Sequence, residues 1–503
     1  MKSRILIAAV VWVVLILIAS LSYRFFFVPK IEAEKKEQTL KQTTSDSRYK
    51  YNINFSLDSF SGYAIFRSEE FREELASEEI KLNLIDDGAD YNKRISSLKS
   101  GEVDLAAFPV DALISTTDSS FPAAIIALAD ETRGADAILS YKDVYANIDA
   151  INSKETKLVL TANSPSETLA RVLISNFGLR NLDQNSFIKL KDAQAVYKKY
   201  RESKPTDKLA FVLWEPYVSK TLENPNVQVL VDSSKFRGYI VDSIVANRDF
   251  LAKNKELAKR FLKAYFRACF YFSQENRIAE LISSDARNQE QPLSDAQVKK
   301  IQEGIWWKNT TENFAHFGST PRSEKHLQHV EDIIANITSV LLKTGAISKD
   351  VSNGDFNKFY YNEILNSLHA ENFHPGVEEI NGNKELPVLN EEQWNKLFYI
   401  GTLDIPKIVF ARSRSDLTDG SKTVLTELLK QLESWHQYYI LVEANVSTIG
   451  GNIEQNSELS RKRAENVKSF LVENGLSENR IKVVLGATGV ETSVSFKLGY
   501  VNY

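Results

Sequence analysis

Three short polar stretches in the middle of the chain carry the residue types that bind small molecules. They read LDSFSGYA (57–64), TANSPSETLA (161–170) and LWEPYV (213–218), and each follows an apolar run typical of a strand. In α/β sheets, ligands bind beyond the carboxyl ends of strands, where the next helix begins. Hydroxyls and carboxylates there would form hydrogen bonds, and Trp214 would offer a flat stacking face. The stretches therefore predict a ligand-binding edge.

The second stretch also fits the capped start of a helix. Ser164 suits the N-cap position, Pro165 the first helical position and Glu167 the reciprocal partner of a capping box. Glu167 would then satisfy the amide that a bound anion needs. The stretch therefore predicts a capped helix and disfavours an anion at this point.

The residues at these predicted strand ends form the candidate ligand-binding site. Its members are Ser59, Ser61, Tyr63, Asp87, Pro109, Asp111, Asp130, Ser164, Trp214, Glu215 and Asp242. Several are acids, and two unpaired acids facing a cleft would favour a cationic, amine-bearing or heteroaromatic solute over an anion. The alternative is that the acids cap helices or pair with Arg94, Arg133 and Arg237.

No catalytic motif accompanies these residues. The sequence contains no GxSxG, HExxH, GxxxxGK[ST] or paired CxxC. His326 and His329 are spaced as a metal pair would be, but no third ligand is evident, and a solvated or packed pair is favoured. Cys269 lies in an apolar helical run and indicates a buried structural thiol. We therefore expect a binding protein without a metal or cofactor.

The elements that would position the site alternate as in βα units. Strands are predicted at 53–57, 80–85, 103–108, 157–162, 208–214 and 227–231, with helices such as Glu69–Ala76 and Ser166–Asn176 between them. This alternation is typical of an α/β fold with a largely parallel sheet. Residues 323–371 have helical spacing, and residues 374–387 break it, so 346–392 would form a helical extension and linker.

Four longer segments of this region form an ordered set. They are IDDGADYNKRISSLKSGEVDLAAFPVDALI (85–114), DETRGADAILS (130–140), FVLWEPYVSKTL (211–222) and DSIVANRDFLAKNKELAKRFLKAYFRACFYFSQ (242–274). Together they resemble periplasmic solute-binding proteins of the nitrate, sulfonate, taurine and thiamine-precursor type, over residues 50–345. The resemblance implies two α/β lobes that close by a hinge around a solute.

The resemblance also implies a division of the chain between the lobes. Lobe one would comprise 50–130 and 240–318, lobe two 137–231, and a C-terminal helix 323–345. The crossovers between the lobes would fall near Asp130–Asp136 and Val231–Tyr239.

A second, smaller α+β unit is predicted for residues 393–503. Its expected strands are 405–411, 438–444 and 481–487, and its expected helices are 420–434 and 457–474. The segments IVFARSRSDL (408–417) and NSELSRKRAENVKSFLVENGLSENRI (456–481) resemble the OmpA-like peptidoglycan-binding domain. That resemblance implies a site with an arginine for the carboxylate of diaminopimelate and an aspartate for its amine.

The resemblance carries the peptidoglycan contacts over to a short set of positions. These are Thr448, Asn456, Leu459, Ser460 and Arg463, with Arg463 at the arginine position and Asn456, Leu459 and Ser460 at the start of the helix. The aspartate position is occupied by Thr448, which brings no charge. Loss of a charge-assisted hydrogen bond would weaken amine recognition by about 10-fold.

Other acids could replace the missing charge. Glu443, Glu454 and Glu458 are the nearby candidates in the sequence. The closing strand segment also departs from the family pattern, since it reads TSVSFKLGY (492–500). The alternative for Arg463 is a solvated helix charge without a ligand.

The first residues indicate a membrane anchor. Ile5 to Ser22 carries no charge and, at ~1.5 Å per residue, spans a bilayer core. The apolar region of a signal peptide is shorter. We expect residues 1–4 in the cytoplasm, a transmembrane helix at 5–23, a polar tether at 24–49 and the remainder in the periplasm.

The composition excludes one class of partner and leaves two functions open. Hydrophobic residues make up 43% and charged residues 25% of the chain, and a net charge of -4 gives no sign of nucleic-acid binding. We expect a protein of the inner membrane that binds a solute, for sensing or uptake, and docks on peptidoglycan or on an inner-membrane partner. The alternative is a structural envelope protein whose clamp has lost its ligand.

Overall fold

The structure is a computed structural model. It describes residues 49–274, 276–320, 327–378, 386–435, 438–449, 452–489 and 493–501. The expected cytoplasmic N-terminus, the transmembrane helix and the tether up to residue 48 lie outside the described residues, as does His326. Among the helices that the structure describes, none has the length and apolar character needed to cross a membrane.

Short apolar strands and amphipathic helices alternate through residues 49–320. The strands are β1 (Tyr51–Leu57), β2 (Ile80–Asp86), β3 (Leu105–Pro109), β4 (Ala123–Thr132), β5 (Asp136–Tyr141), β6 (Lys157–Thr161), β7 (Phe187–Leu190), β8 (Leu209–Trp214), β9 (Val227–Asp232), β10 (Val241–Asn247) and β11 (Ile305–Trp307). The helices are α1 (Ala64–Arg67), α2 (Glu69–Ser77), α3 (Tyr91–Ser100), α4 (Val110–Thr116), α5 (Pro165–Asn176), α6 (Ala193–Glu202), α7 (Tyr217–Leu222), α8 (Arg248–Ser273), α9 (Arg277–Asn288), α10 (Asp295–Gly304) and α11 (Thr310–His316).

These strands form two separate sheets. The sheet of lobe one has the order β11-β4-β10-β3-β1-β2, and that of lobe two has the order β7-β6-β8-β5-β9. The chain leaves lobe one across residues 133–135 and returns across residues 233–240. In the sheet of lobe two, β5 lies antiparallel between β8 and β9. In the sheet of lobe one, β10 is antiparallel to β3 and β4, and β4 is antiparallel to β11 as well. Two lobes joined by two crossovers can close by a hinge motion.

Aromatic rings fill the core of lobe one. Phe66 stacks on Tyr265 with ring centroids 4.8 Å apart, and Phe55 stacks on Phe261 at 5.6 Å. Each such pair adds about 0.5–1.5 kcal/mol beyond the burial of its area. Cys269, on the same helix α8, is a buried free thiol, in agreement with its apolar sequence surroundings.

The predicted helical region 323–371 is interrupted. The described part contains α12 (Val330–Lys343) and α13 (Glu363–Ala370), separated by turns. Gly345 has a φ of 67°, and the amide of Ala346 donates to the carbonyl of Leu341 at 2.8 Å. A left-handed glycine with this hydrogen bond ends a helix, so α12 ends close to the predicted end of the C-terminal helix 323–345.

The C-terminal unit is a small α+β domain. It contains α14 (Glu391–Asn395), β12 (Phe398–Thr402), α15 (Asp419–Ser434), β13 (Tyr439–Ser447), α16 (Ile453–Glu473), β14 (Ile481–Gly489) and β15 (Ser493–Tyr500). Its sheet has the order β12-β15-β13-β14. The sheet is mixed, with β13 parallel to β14 and antiparallel to β15. Helix α16 packs against this sheet, and α15 packs against α16.

The strand predicted at 405–411 is wrong. Residues 403–409 have no regular structure, and the edge of the sheet is formed instead by β12. Pro406 has no N–H to donate to a ladder. The amide and carbonyl of Val409 are hydrogen-bonded to the Ser421 hydroxyl at 2.9 and 2.7 Å, so they are also withheld from strand pairing.

Candidate functional site

A small cavity lies where the strand ends of the two lobes meet. It is lined by Asp58, Phe60, Tyr63, Tyr91, Pro109, Thr132, Asp136, Pro165, Trp214, Ile240 and Asp242. The volume open to the centre of a water molecule is about 20 Å³, room for about one water. The structure therefore describes a closed clamp.

Strand pairing brings the predicted lining residues together. Tyr63, Pro109, Trp214 and Asp242 line the cavity, as do residues that the sequence did not single out. On lobe one, Asp242 lies directly opposite Pro109 across β10 and β3. The hydroxyl of Tyr63 donates to the carboxylate of Asp242. These contacts place one carboxylate and one aromatic ring on the lobe-one wall.

Asp87 lies in an ion pair instead of lining the cavity. Arg94 donates to its carboxylate from Nε at 2.6 Å and from Nη2 at 2.5 Å, and its Nη2 also reaches Asp58 at 2.9 Å. The Arg94 side chain is fully buried, with its Nη1 on the carbonyl of Ala107 at 2.6 Å. One buried cation is thus shared by two carboxylates, which is the predicted alternative for Asp87.

Arg133 and Arg237, the other two arginines expected as partners of the candidate acids, contact different residues. Arg237 is 3.7 Å from the carboxylate of Glu131, and the Arg133 guanidinium lies 3.5 Å from the ring centre of Trp306. Glu131 also accepts from Lys308 at 2.7 Å. These cations hold the pKa of Glu131 well below its usual range, although burial alone would raise it. They therefore contact Glu131 and Trp306, which are not candidate site residues.

The capping box predicted at the start of α5 is wrong. Ser164 is the N-cap residue, but its hydroxyl donates back to the carbonyl of Thr161 at 2.8 Å and caps no helical amide. Glu167 accepts from the amide of Asn163 at 3.0 Å and forms ion pairs with Arg171 and Lys189. Two cations on one carboxylate replace the expected reciprocal bond with the N-cap amide.

Three further candidates lie outside the cavity lining. Ser59 is exposed, and Ser61 is buried in the turn that leads to Tyr63. Glu215 is fully buried, and it accepts from the amide and the hydroxyl of Ser219 at 3.0 and 2.8 Å. Its carboxylate also lies 3.5 Å from Lys300. Glu215 therefore stabilises the first turn of α7.

Asp111 forms a hydrogen bond between the lobes. It lies in the first turn of α4, and its Oδ2 accepts from the hydroxyl of Thr168 on α5 at 2.5 Å. Burial raises the pKa of Asp111 to about 6. Separation of the lobes would break this bond, and the pair Asp111–Thr168 is called the latch below.

Asp130 and Asp242 face each other across β4 and β10. Both are buried, and in the described part of the chain neither oxygen of Asp130 has a hydrogen-bond partner. Burial raises the pKa of each well above its usual range; Lys308 offsets part of the rise for Asp130, and Asp130 adds to the rise for Asp242. Two adjacent buried acids favour the protonated form of one.

Asp136 is the most informative residue that sequence reasoning missed. It begins β5 directly opposite Trp214 on β8, lines the cavity and is 1% exposed. Burial raises its pKa to about 7; the Thr132 hydroxyl offsets part of the rise, while Asp111 and Glu215 add to it. The sequence does show a carboxylate two residues after Gly134, at the predicted crossover. That this carboxylate lies opposite Trp214 follows only from the pairing of β5 with β8.

No metal centre is formed by the described residues. Nowhere among them do three or more histidine, cysteine, aspartate or glutamate side chains converge as metal ligands would. His329 accepts from the amide of Glu331 at 3.2 Å at the start of α12.

In the C-terminal domain, the Arg463 side chain forms hydrogen bonds with the loop that precedes α15. Its Nε donates to the carbonyl of Arg414 at 2.9 Å and its Nη2 to that of Ala411 at 3.3 Å, and the guanidinium lies 4.8 Å from the ring of Phe410. The side chain is largely buried, and this burial lowers its pKa. Arg463 is therefore not the solvated helix charge of the alternative prediction.

The helix-start positions predicted from the resemblance are wrong. Helix α16 begins at Ile453, and Asn452 caps it by accepting from the amide of Glu454 at 2.9 Å. The amide of Asn456 already donates to the carbonyl of Asn452 at 3.0 Å. Leu459 and Ser460 lie further inside the helix, and the single Ser460 hydroxyl hydrogen is within reach of the carbonyls of Asn445 and Asn456. These positions therefore offer no free helical amides to a carboxylate.

Thr448 lies exposed at the end of β13. Its hydroxyl donates to the carbonyl of Gly489 at 3.1 Å. Of the acids considered as replacements, Glu443 pairs with Lys497 at 2.7 Å and Glu458 with Arg461 at 3.4 Å. Both carboxylates therefore already lie beside a cation, Glu458 in an exposed ion pair of the kind that contributes little to stability.

The C-terminal domain packs against lobe two beside a crossover. The Tyr438 hydroxyl donates to the carbonyl of Lys235 at 2.6 Å, and the Lys235 ammonium lies 3.7 Å from the ring centre of Tyr500. Phe177, at the end of α5, contacts the ring of Trp435 at 6.1 Å. Lys235 belongs to the segment 233–240 through which the chain returns to lobe one, so one crossover segment contacts the C-terminal domain.

Residues 409–495 match the OmpA family. This region is an OmpA-like domain. The strand order and the two crossovers give the preceding region the two-lobed fold of periplasmic solute-binding proteins. Both resemblances seen in the sequence are thereby confirmed. No curated protein sequence matches this chain.

Several solved structures are distantly similar to the chain. The ligand-binding component of an ABC-type import system from Staphylococcus aureus is 11% identical with a TM-score of 0.48, covering 63% of this chain and 98% of that chain. The aliphatic sulphonate-binding protein SsuA from Escherichia coli is 15% identical with a TM-score of 0.44, covering 62% and 99%. The nitrate-binding protein NrtA from Synechocystis PCC 6803 is 12% identical with a TM-score of 0.47, covering 63% and 88%.

Proposed function

We propose that this chain is a solute-binding protein of the cell envelope that works by binding and not by catalysis. Its clamp binds a small solute, its OmpA-like domain docks on the cell wall or on a partner, and its first residues anchor it in the inner membrane. Such a protein acts in sensing or in delivery to a fixed membrane partner, because a clamp tied at both ends does not diffuse freely.

The observation that carries the proposal is a set of unsatisfied polar atoms at or near the strand ends that border the cavity. Within the described residues, buried side-chain atoms without a hydrogen-bond partner of good geometry include Asp111 Oδ1, both carboxylate oxygens of Asp130, Asp136 Oδ1 and the hydroxyls of Thr161 and Ser166. Each such atom costs about 1–3 kcal/mol when buried. Their position at the facing edges of both lobes indicates that a bound solute supplies the missing partners.

The contact between the OmpA-like domain and the crossover supports a sensing role. Closure of the lobes changes the backbone at the hinge segments, and Lys235 in one of them is held by Tyr438 and Tyr500. A solute that favours the closed clamp therefore also favours the present packing of the OmpA-like domain.

We propose that the OmpA-like domain binds peptidoglycan more weakly than a domain that has the family's aspartate. Thr448 supplies a neutral hydroxyl where the family has a carboxylate, and Arg463 already donates to two loop carbonyls. Full-length protein in mild detergent can be sedimented with insoluble peptidoglycan. We expect Thr448→Asp to raise the bound fraction about 10-fold. If wild type and Arg463→Ala pellet equally little, docking on the wall is excluded and docking on a partner remains.

A structural spacer is the second candidate, and the size of the cavity favours it. Room for about one water means that the clamp closes without a solute of ordinary size. Thermal unfolding with pooled amines, pyrimidines, sulfonates and nitrate separates the two functions, since a ligand of the native state raises its Tm. A shift with any pool supports solute binding, and the absence of any shift supports the spacer.

A further inference from the structure

The walls of the cavity carry negative groups without matching positive ones. Asp58, Asp136 and Asp242 line it, and no lysine, arginine or histidine is among the described residues of the lining. Arg94 reaches Asp58 from outside the cavity but is shared with Asp87. Asp136 and Asp242 are therefore left facing the cavity without a cation.

Carboxylate oxygens without hydrogen-bond donors indicate which kind of ligand group the cavity would bind. Asp136 Oδ1 is buried and has no hydrogen-bond partner of good geometry in the described structure, and the same holds for both oxygens of Asp130 next to Asp242. A carboxylate accepts hydrogen bonds and donates none when ionised. The natural partner is a donor with positive charge, because an anionic solute would add repulsion to a group that already lacks a donor.

Aromatic rings complete the same surface. Phe60, Tyr63, Tyr91 and Trp214 line the cavity, and Phe60 meets Tyr63 edge to face with ring centroids 5.3 Å apart. A cation near the face of such rings is attracted by the π electrons in addition to its ion pair. Asp136 lies directly opposite Trp214 in the sheet of lobe two, so carboxylate and indole are neighbours on one wall.

We propose that the cleft binds a small organic cation, with its ammonium group between Asp136 beside Trp214 on lobe two and Asp242 beside Tyr63 on lobe one. This inference rests on the proposed function and specifies its solute class. The cation joins carboxylates from both lobes, so it closes the clamp by direct attraction. The lobes must first separate to admit it, which breaks the Asp111–Thr168 bond.

The test is calorimetric titration and thermal unfolding of the full-length chain in mild detergent. The probes are methylammonium, choline, putrescine and protonated 4-aminopyridine, against methanesulfonate, nitrate, phosphate, Ca²⁺ and Mg²⁺. We expect at least one organic cation to bind, and Asp136→Asn to weaken it at least about 10-fold, as loss of a charge-assisted bond does. The matched control is Glu312→Gln, a fully buried carboxylate on α11 that is not part of the cavity lining, which should leave the affinity unchanged.

The number of protons released on binding can also be measured, and a folding defect would not reproduce the expected value. Because burial raises the pKa of Asp136 to about 7, a bound cation should expel a proton at neutral pH. The binding enthalpy then depends on the ionisation enthalpy of the buffer, in the sense of proton release. Proton uptake would mean that a protonated acid is donating to an anion, which contradicts the proposal.

The possible outcomes distinguish the proposed cation site from the proposed solute-binding function on which it rests. Binding of an anion or a divalent metal without any organic cation overturns the cation site and leaves solute binding intact. A cation that binds Asp136→Asn as tightly as wild type also overturns the site. If no probe and no solute pool binds, both the cation site and the solute-binding function fail. An organic cation that binds with proton release and depends on Asp136 supports the proposal.

Discussion

Replacing Asp136 by asparagine should make the free protein more stable at high pH. Its folded-state pKa, about 7, lies above the ordinary value of 3.8 because the carboxyl is buried. The protonated form is therefore favoured in the folded state, and the associated stability is complete below pH ~4 and is lost as the pH rises through about 7. Asparagine is neutral at every pH and removes this loss.

The magnitude follows from the size of the shift. A rise of about 3 units, at 1.36 kcal/mol per unit, corresponds to about 4 kcal/mol between pH ~4 and pH ~8. Asp136→Asn should match wild type near the lower pH and exceed its stability by up to about 4 kcal/mol near the upper one. Part of this gain is offset because the new amide N–H groups also need acceptors.

Urea unfolding at a series of pH values, combined with hydrogen exchange of β5, measures the effect in lobe two. Asp118→Asn is the control, since Asp118 is exposed and its ion pair with Lys99 lowers its pKa, so its titration lies below this pH range. Equal pH slopes for wild type and Asp136→Asn between pH ~5 and ~8 would refute the reasoning, because Asp136 would then titrate as an ordinary surface acid.

Two further predictions concern the latch and the domain contact. Thr168→Val keeps the side-chain shape but leaves Asp111 without its donor, so it should favour the open clamp by about 1–3 kcal/mol; an unchanged radius of gyration in X-ray scattering would contradict the latch. Tyr438→Phe removes the hydrogen bond to the carbonyl of Lys235, worth about 1 kcal/mol, and should speed hydrogen exchange in the crossover. Tyr439→Phe, whose hydroxyl donates to Pro387 inside the C-terminal region, should leave that exchange unchanged.

Much of the architecture could be read from the sequence. The predicted strands from 53–57 to 227–231 lie within two residues of β1, β2, β3, β6, β8 and β9, because each is a short apolar run bounded by turn residues. The strand at 405–411 failed because Pro406 has no N–H and because the Ser421 hydroxyl takes the amide and carbonyl of Val409. This failure comes from local bonding that the apolar pattern does not reveal.

Only part of the candidate site could be predicted from the sequence. Tyr63, Pro109, Trp214 and Asp242 line the cavity as predicted residues, while Asp136 was missed. Nothing in the sequence distinguishes an acid that will meet an arginine, as Asp87 does, from one that will not. That distinction depends on which strands become neighbours.

The sequence by itself determined the types of element, the two family resemblances and the absence of a charge at Thr448, since these are properties of residue identity and short-range order. Only the tertiary structure decided that Arg94 is shared by Asp58 and Asp87, that Asp111 joins the lobes, and that Asp136 faces a closed cavity. The physical reason is that burial and pairing are set by contacts between distant strands. The charge of a carboxyl group depends on those surroundings as much as on its own chemistry.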